Sequence, residues 1–282
     1  MMLLDGKKVA NDLKELLKQE ARKLRKKLRL CIVMVGGNPS SLTFIKRKEQ
    51  FARDIGCNVR VYKYQADIST TELRKRLADI VHIKSNTGVV LQLPLPPHIK
   101  TDYVLNAIIP KKDVDVLSSR SVGDFVYGRS LVVPPVVGAI DKLFSAYNIS
   151  LVGKHTYVVG AGRLVGRPVA IWLMNKGMQF TVLSSRSGGI VSLKSADVII
   201  TGVGKPRLIT ADVVKEGVII VDAGTSEDVT DKGEPLGKSV GDVDFPSVSK
   251  KASYITPVPG GIGPLTVAMV FQNLLALAKR SK

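Results

Sequence analysis

The stretch TYVVGAGRLVGRPVAIWLMNKGMQFTVL, residues 156–183, restricts what this chain can fold into more than any other. An apolar strand runs into a glycine turn, a helical pattern follows until Gly177, and FTVL begins a second strand. Parallel strands need a crossover long enough to hold a helix, so this order reads as a βαβ unit of Rossmann type. Two further apolar runs, ADVIITGVG and GVIIVDAG, extend the same sheet.

The N-terminal part also alternates. A basic amphipathic helix, KKVANDLKELLKQEARKLRKKLRL, carries Val9, Leu13, Leu16, Leu17 and Leu24 at helical spacing. LCIVMVGG (30–37) is a strand, followed by a helix holding Phe44 and Lys48, and NVRVYKY (58–64) is a second strand. TTELRKRLADI is a helix capped by Thr70 or Thr71, and GVVLQLPLP (88–96) is a buried strand cut short by prolines. Residues 111–135 read as a crossing between domains, with VVGAIDKLFSAY as a linking helix. From about Pro264 a last helix carries an apolar stripe of Val267, Val270, Phe271, Leu274, Leu275 and Ala278. Burying that stripe against the first domain makes the domain discontinuous in sequence. The expected fold is therefore α/β with two domains: residues 1–120 completed by 259–282, and a Rossmann-type domain over 121–258.

Composition narrows the function classes. No apolar run reaches the roughly 18–20 residues needed to cross a bilayer, and MMLLDGKKVA is too short for a secretory signal. Cys31 and Cys57 make neither a metal-ligand pattern nor a disulfide framework and read as buried thiols. A cytoplasmic protein with no bound metal and no membrane partner is expected. The net charge of +18 fits a nucleic-acid binder, a solvated basic helix face, or an anionic substrate or cofactor. Zinc-finger spacing, an aromatic RNA-binding stripe and a basic tail are all missing, which weighs against nucleic acid.

Gly160, Ala161, Gly162 and Gly166 lie where a strand turns into a helix. Backbone N–H groups and the helix dipole there suit a phosphate, although the spacing is G-x-G-x-x-x-G. About twenty residues on, NAD enzymes place an acidic residue on the ribose hydroxyls. This chain has Ser184, Ser185, Arg186 and Ser187 instead, a set suited to the 2′-phosphate of NADP. Thr225, just beyond GVIIVDAG, completes the candidate cofactor residues.

Several motifs in order make the chain similar to the bifunctional methylenetetrahydrofolate dehydrogenase/methenyltetrahydrofolate cyclohydrolases. They are PSSLTFIKRK, LQLPLP, KKDVDV, VVGAGRLVGRPVA, GDVDF and ITPVPGGIGPLTVAM. The resemblance implies a homodimer in one-carbon metabolism and purine biosynthesis, with NADP and a folate between two domains. It makes Lys48, Gln92 and Asp115 catalytic: Lys48 handles protons in hydrolysis, Gln92 orients it and Asp115 holds the pterin. It places Phe44, Pro257, Gly260, Gly261 and Thr266 on the substrate. A folate tail, polyglutamylated or not, then explains part of the positive charge, with Lys46 and Arg47 as partners. Three departures stand out: Phe44 replaces the family's Tyr, Val116 its Gly, and Gly162 a frequent Ser. Loss of the Tyr hydroxyl threatens hydrolysis more than hydride transfer, so a dehydrogenase with weakened cyclohydrolase is the alternative.

Overall fold

A computed structural model describes residues 1–24, 26–187, 189–229 and 235–280. It divides into two compact units, one of Asn11–Pro135 with Val267–Lys282 and one of Met1–Ala10 with Val136–Thr266.

The chain opens with β1 (Met2–Leu3) and α1 (Gly6–Lys23), then alternates through β2 (Arg29–Val35), α2 (Pro39–Ile55), β3 (Asn58–Tyr64), α3 (Thr70–His82) and β4 (Gly88–Leu91). Strand β2 lies between β3 and β4 and is parallel to both. Its residues Leu30–Val35 are all buried, as a parallel strand covered on both faces requires. Val33, Val35 and Leu91 pack with Leu73 and Leu77 of α3. The cap of α3 is Ser69 rather than Thr70 or Thr71: its side chain accepts the Glu72 N–H at 3.2 Å. The S-x-x-E spacing of Ser69 and Glu72 is the sequence sign of that start. In α1, Leu13 and Leu17 are buried but Leu16 is exposed, because each residue turns the helix by about 100°. Two short helices follow, α4 (Thr101–Leu105) and α5 (Ser119–Val126).

From α6 (Pro135–Ala146) the chain runs through β5 (Thr156–Val159), α7 (Gly166–Asn175), β6 (Phe180–Leu183), β7 (Val198–Thr201) and β8 (Ile219–Asp222). A hairpin of β9 (Ser226–Val229) and β10 (Pro235–Val240), then α8 (Phe245–Val248), β11 (Tyr254–Ile255) and α9 (Ile262–Arg280), complete it. One parallel sheet has the order β1-β11-β8-β7-β5-β6. Strand order runs from β5 to β6 on one side and to β7 on the other. That reversal opens a crevice at the C-terminal ends of β5 and β7, where nucleotides bind in such sheets.

The unit boundaries depart from the expected 1–120 with 259–282 and 121–258, for local reasons. β1 pairs with β11, which ties the first residues to the Rossmann-type unit. Residues up to Pro135 stay with the other unit, where the Asn273 side chain donates to Val133 O at 2.7 Å. From Val267 the last helix lies in that unit, its six stripe residues buried and Phe271 stacked on Phe51 at 5.2 Å. By length and composition α9 is apolar enough to cross a bilayer, with a mean hydropathy of 1.4, against the expectation that no run is. It is 67% buried within the protein, as a core helix is.

Candidate functional site

Helix α2 starts at Pro39, whose missing N–H is no loss in a first turn. Asn38 accepts the Ser41 N–H at 3.2 Å, and Gly56 ends the helix at φ 76°. The buried residues of α2 are Ser41, Ile45, Lys48, Ala52 and Ile55, a single stripe at helical spacing. Lys48 therefore occupies a core position and is only 7% exposed. Its Nζ donates to Gln92 Oε1 at 2.9 Å. Gln92 follows β4 directly; its N–H donates to Val33 O at 2.8 Å, and its Nε2 donates to Leu93 O at 3.0 Å. The second bond leaves only the Oε1 side of the amide for Lys48.

Burial holds the Lys48 pKa below the ordinary lysine value, with the Asp115 carboxylate pulling the other way. Burial likewise pushes Asp115 up to about 6, opposed by Lys48 and reinforced by Asp113. An ammonium that releases its proton more readily thus faces a carboxyl that keeps its proton longer. Opposite shifts on a paired amine and carboxyl suit proton transfer. Phe44 is half-buried one turn before Lys48, with the Arg47 guanidinium carbon 5.8 Å from its ring centre. The unit thus brings Lys48, Gln92 and Asp115 into one electrostatic group, with Phe44 on the same helix.

In the Rossmann-type unit the turn from β5 to α7 is closely built. Gly160 has φ 99°, and a Cβ on it would fall 2.5 Å from Val203 Cγ1. A Cβ on Gly166 would fall 2.6 Å from the Gly160 carbonyl carbon, so only glycine lets the helix start this close to the strand. Ala161 and Gly162 are exposed, and nothing lies within 4 Å of a Cβ built on Gly162. The first turn of α7 holds no acidic residue, leaving its N-terminal dipole uncompensated. Ser184 and Ser187 knit the turn after β6: the Ser184 N–H donates to Ser187 Oγ at 3.0 Å and the Arg186 N–H to Ser184 Oγ at 3.3 Å. Ser185, Arg186 and Thr225 are exposed. Glycines that clear backbone space, a helix N-terminus with neither a side-chain cap nor an acidic first turn, and an exposed Arg fit a dinucleotide carrying an additional phosphate.

Pro257, Gly260, Gly261 and Thr266 belong to this second unit as well, not to the one with Lys48. Gly260 has φ 115°; the Gly261 N–H donates to Pro257 O at 2.8 Å, and the Lys7 N–H to Gly260 O at 2.9 Å. The Thr266 hydroxyl donates to Ile262 O of its own helix at 3.0 Å.

Two buried carboxyls in this unit escaped the sequence reading. Asp242 accepts Thr201 Oγ1 at 2.8 Å and the N–H groups of Val203 and Lys205 at 2.7 and 3.0 Å, fixing the loop after β7. Asp222 accepts the N–H groups of Gly224 and Val243 at 2.8 and 2.9 Å. Burial, and next the charge of Asp242, push Asp222 up to about 7. A Cβ on Gly241 would lie 2.6 Å from the Asp222 carboxyl carbon, and one on Gly224 2.6 Å from Asp242 Oδ2. The available signal was an Asp-Ala-Gly at the end of an apolar run and a Gly-Asp in GDVDF.

Two family models match. Residues 4–115 match "Tetrahydrofolate dehydrogenase/cyclohydrolase, catalytic domain", and residues 134–282 match its "NAD(P)-binding domain". The "Bifunctional protein FolD" of Nautilia profundicola is 40% identical over 285 residues, covering 99% of this chain and 98% of the relative. A crystal structure of "Bifunctional Enzyme FolD-Methylenetetrahydrofolate Dehydrogenase/Cyclohydrolase" from Campylobacter jejuni superposes with a TM-score of 0.92 at 39% identity, covering all of both chains. The Trypanosoma brucei methylenetetrahydrofolate dehydrogenase-cyclohydrolase, complexed with NADP cofactor and inhibitor, gives 0.92 at 29% identity, covering 100% and 98%. With both halves matched in order and near-complete coverage, this chain belongs to the tetrahydrofolate dehydrogenase/cyclohydrolase family.

Proposed function

We propose that this chain oxidises 5,10-methylenetetrahydrofolate with NADP and hydrolyses the resulting 5,10-methenyl cation to 10-formyltetrahydrofolate. NADP, when bound, takes the hydride from the bridging carbon. The residues to hold it are Gly160, Ala161, Gly162 and Gly166 at the start of α7, Ser185 and Arg186 after β6, and Thr225 after β8. Hydride loss leaves a cation and requires no proton from the protein, so this half-reaction asks the chain for position alone. Pro257, Gly260 and Gly261 supply a stiff loop with little side chain for that purpose, and Thr266 follows it.

Hydrolysis adds water to the cationic carbon, breaks one carbon–nitrogen bond and releases one proton. Lys48 is the group that manages this proton, because burial weakens its hold on its own. Gln92 keeps Nζ in one place through the 2.9 Å bond. Asp115, protonated in part near pH 6, can donate to as well as accept from the pterin ring. The observation that carries the reading is a lysine 7% exposed on the buried stripe of a helix and bonded to a strand-end glutamine. Lys48→Met tests it in an assay that follows methenyltetrahydrofolate absorbance with NADP⁺ and methylenetetrahydrofolate. The expected result is retained hydride transfer, accumulation of the methenyl product, and hydrolysis lower by about 10²–10⁴. Hydrolysis at the wild-type rate sinks the assignment.

The finer reading includes a cytoplasmic homodimer supplying one-carbon units to purine synthesis, in keeping with the family resemblance. It also gives the folate glutamate tail to exposed Lys46 and Arg47. KM for a polyglutamylated folate then falls below that for the monoglutamate at low ionic strength, and salt removes the difference. Equal KM values at low salt overturn this part.

A further inference from the structure

We infer that Asn273 of α9 is a positioning residue for the hydrolytic half-reaction: it holds the peptide carrying Asp115 in a conformation that Val116 resists. The inference rests on the reading of Lys48 and Asp115 given above.

Residues 113–118 form a tight turn around Asp115. Asp113 is fully buried, and its carboxylate accepts the Leu117 N–H at 3.1 and 3.2 Å and the Ser118 N–H at 2.8 Å. Between them Val116 has φ 57°. That left-handed region is uncomfortable for any L-residue and most of all for a β-branched one. Val116 is 1% exposed, so it cannot relax by swinging outward. The turn keeps its shape only if the chain on both sides of Asp115 is held.

Asp113 holds the C-terminal side, and Asn273 holds the other. The Asn273 amide, 3% exposed, donates from Nδ2 to Val114 O at 2.8 Å and to Val133 O at 2.7 Å. Val114 is the residue before Asp115. Its side chain is also wedged, since a Cβ on Gly88 would lie 2.5 Å from Val114 Cγ1 and 2.7 Å from Leu274 Cδ1. The neighbours of Asn273 on α9, among them Val270, Phe271, Leu274 and Leu275, are apolar and buried. A helix serving only to fill a core would carry another apolar side chain here. An amide with both hydrogens used on two carbonyls, from segments 19 positions apart by their numbers (133 less 114), is a cross-tie.

The groups acting on Asp115 are Lys48 of α2 and Asp113 of the same turn, and Asp115 in turn raises the Lys48 pKa that burial lowers. Displacing Asp115 therefore alters how readily Lys48 releases its proton as well as how the pterin is held.

The test is a cycle of Asn273→Ala and Asn273→Ser, each made alone and in a Val116→Gly background. Three readouts apply: methenyl hydrolysis with its pH profile, KM for NADP, and amide hydrogen exchange over residues 113–121. Asn273→Ala is expected to lower kcat for hydrolysis by about tenfold, the factor that one left-handed β-branched residue is worth when its restraint is lost. The rising limb of the profile moves to lower pH, because Asp115 no longer opposes the burial of Lys48. KM for NADP stays unchanged, and faster exchange is confined to 113–121. Asn273→Ser, with a single donor, falls between, and carries the comparison if the alanine variant does not fold. With glycine able to adopt φ 57° unaided, the loss in the Val116→Gly background shrinks to about twofold. Equal losses in both backgrounds, or an unmoved pH limb, reduce Asn273 to a stability residue and overturn the inference. If the unmodified enzyme fails to hydrolyse methenyltetrahydrofolate, the reading of Lys48 and Asp115 falls. The exchange data still decide the cross-tie: unchanged exchange over 113–121 refutes it.

Discussion

Alanine at Gly162 and alanine at Gly166 should do opposite things, though the two glycines share one turn. At Gly166 the added Cβ would sit 2.6 Å from the Gly160 carbonyl carbon and 3.1 Å from Ala161 N, with the Gly160 oxygen closer still. Carbon atoms in contact prefer about 3.5–4 Å, so the start of α7 must retreat by roughly 1 Å. It has nowhere to go, because Val169 and Leu173 on the same helix are fully buried. Overpacking costs about 1–3 kcal/mol, and backbone pressed on backbone belongs at the upper end. A loss of about 3 kcal/mol lowers Tm by roughly 6–12 °C in a chain of this size. At Gly162 nothing lies within 4 Å and the backbone is not left-handed. Alanine there leaves the free protein as stable or raises it by about 0.4–1 kcal/mol, through a less disordered unfolded chain. The resemblance puts a frequent Ser at this position, so a Cβ is compatible with a phosphate beside it, and NADP affinity in Gly162→Ala should stay close to that of the unmodified chain. Melting with and without NADP gives the first readout. The second is titration of Trp172 fluorescence, the single tryptophan, buried on α7. A large loss of NADP affinity in Gly162→Ala, or a Gly166→Ala melt within about 1 °C of wild type, refutes the reading of open space in one case and of close packing in the other.

Three other outcomes follow from the geometry. Phe44→Tyr returns a hydroxyl one turn before Lys48; methenyl hydrolysis should rise by about two- to tenfold while hydride transfer holds, and no change dismisses the hydroxyl. Arg186→Ala removes an exposed guanidinium; Kd for NADP should rise by about 10–100-fold with that for NAD unmoved, and parallel losses would show that Arg186 does not read the 2′-phosphate. Asp222, held near 7, binds its proton more tightly folded than unfolded, so its stabilising share is full below about pH 4 and lost as pH rises through 7. The difference in unfolding free energy between wild type and Asp222→Asn should therefore change by about 3 kcal/mol between pH 4 and 8, and a flat difference rejects the buried-carboxyl account.

How far the sequence discloses this molecule depends on whether a feature is periodic. Strand β3 matches the expected 58–64 because alternation and bounding polar residues mark both ends. The βαβ unit is equally legible, since Gly160, Gly166 and Gly177 punctuate it. β4 ends at Leu91, earlier than the apolar run suggests, because pairing with β2 stops at Val33 and Gln92. Contacts between distant segments leave no periodic trace. Nothing local announces that Met2 and Leu3 pair with Tyr254 and Ile255, or that Asn273 reaches Val114 and Val133. The Asp222–Asp242 pair is of this kind too: each aspartate needs a glycine from the other's segment, a fit that exists only after folding.

Lys48 is the instructive middle case. Counted by composition, it is one of 42 basic residues and reads as solvated. Placed on the helix, it falls between Ile45 and Ala52 on the face that continues to Ile55, and that face is buried. A core position given to lysine loses hydration that only specific partners can replace, and Gln92 and Asp115 are those partners. The same stripe explains why Phe44 stands half-buried beside it and why Lys46 and Arg47, off the stripe, remain in water. The family resemblance gives Lys48 a chemical role, and the helical phase of α2 adds that its place is a buried one. A charge on an apolar stripe, facing a strand end rich in polar atoms, is a placement that packing alone does not select. What the phase cannot supply is the identity of the partners, since Gln92 and Asp115 arrive from 44 and 67 positions away (92 less 48, and 115 less 48). The group around Lys48 is thus half local and half topological, and under the proposed function a change to either part should be visible in proton handling before it is visible in stability.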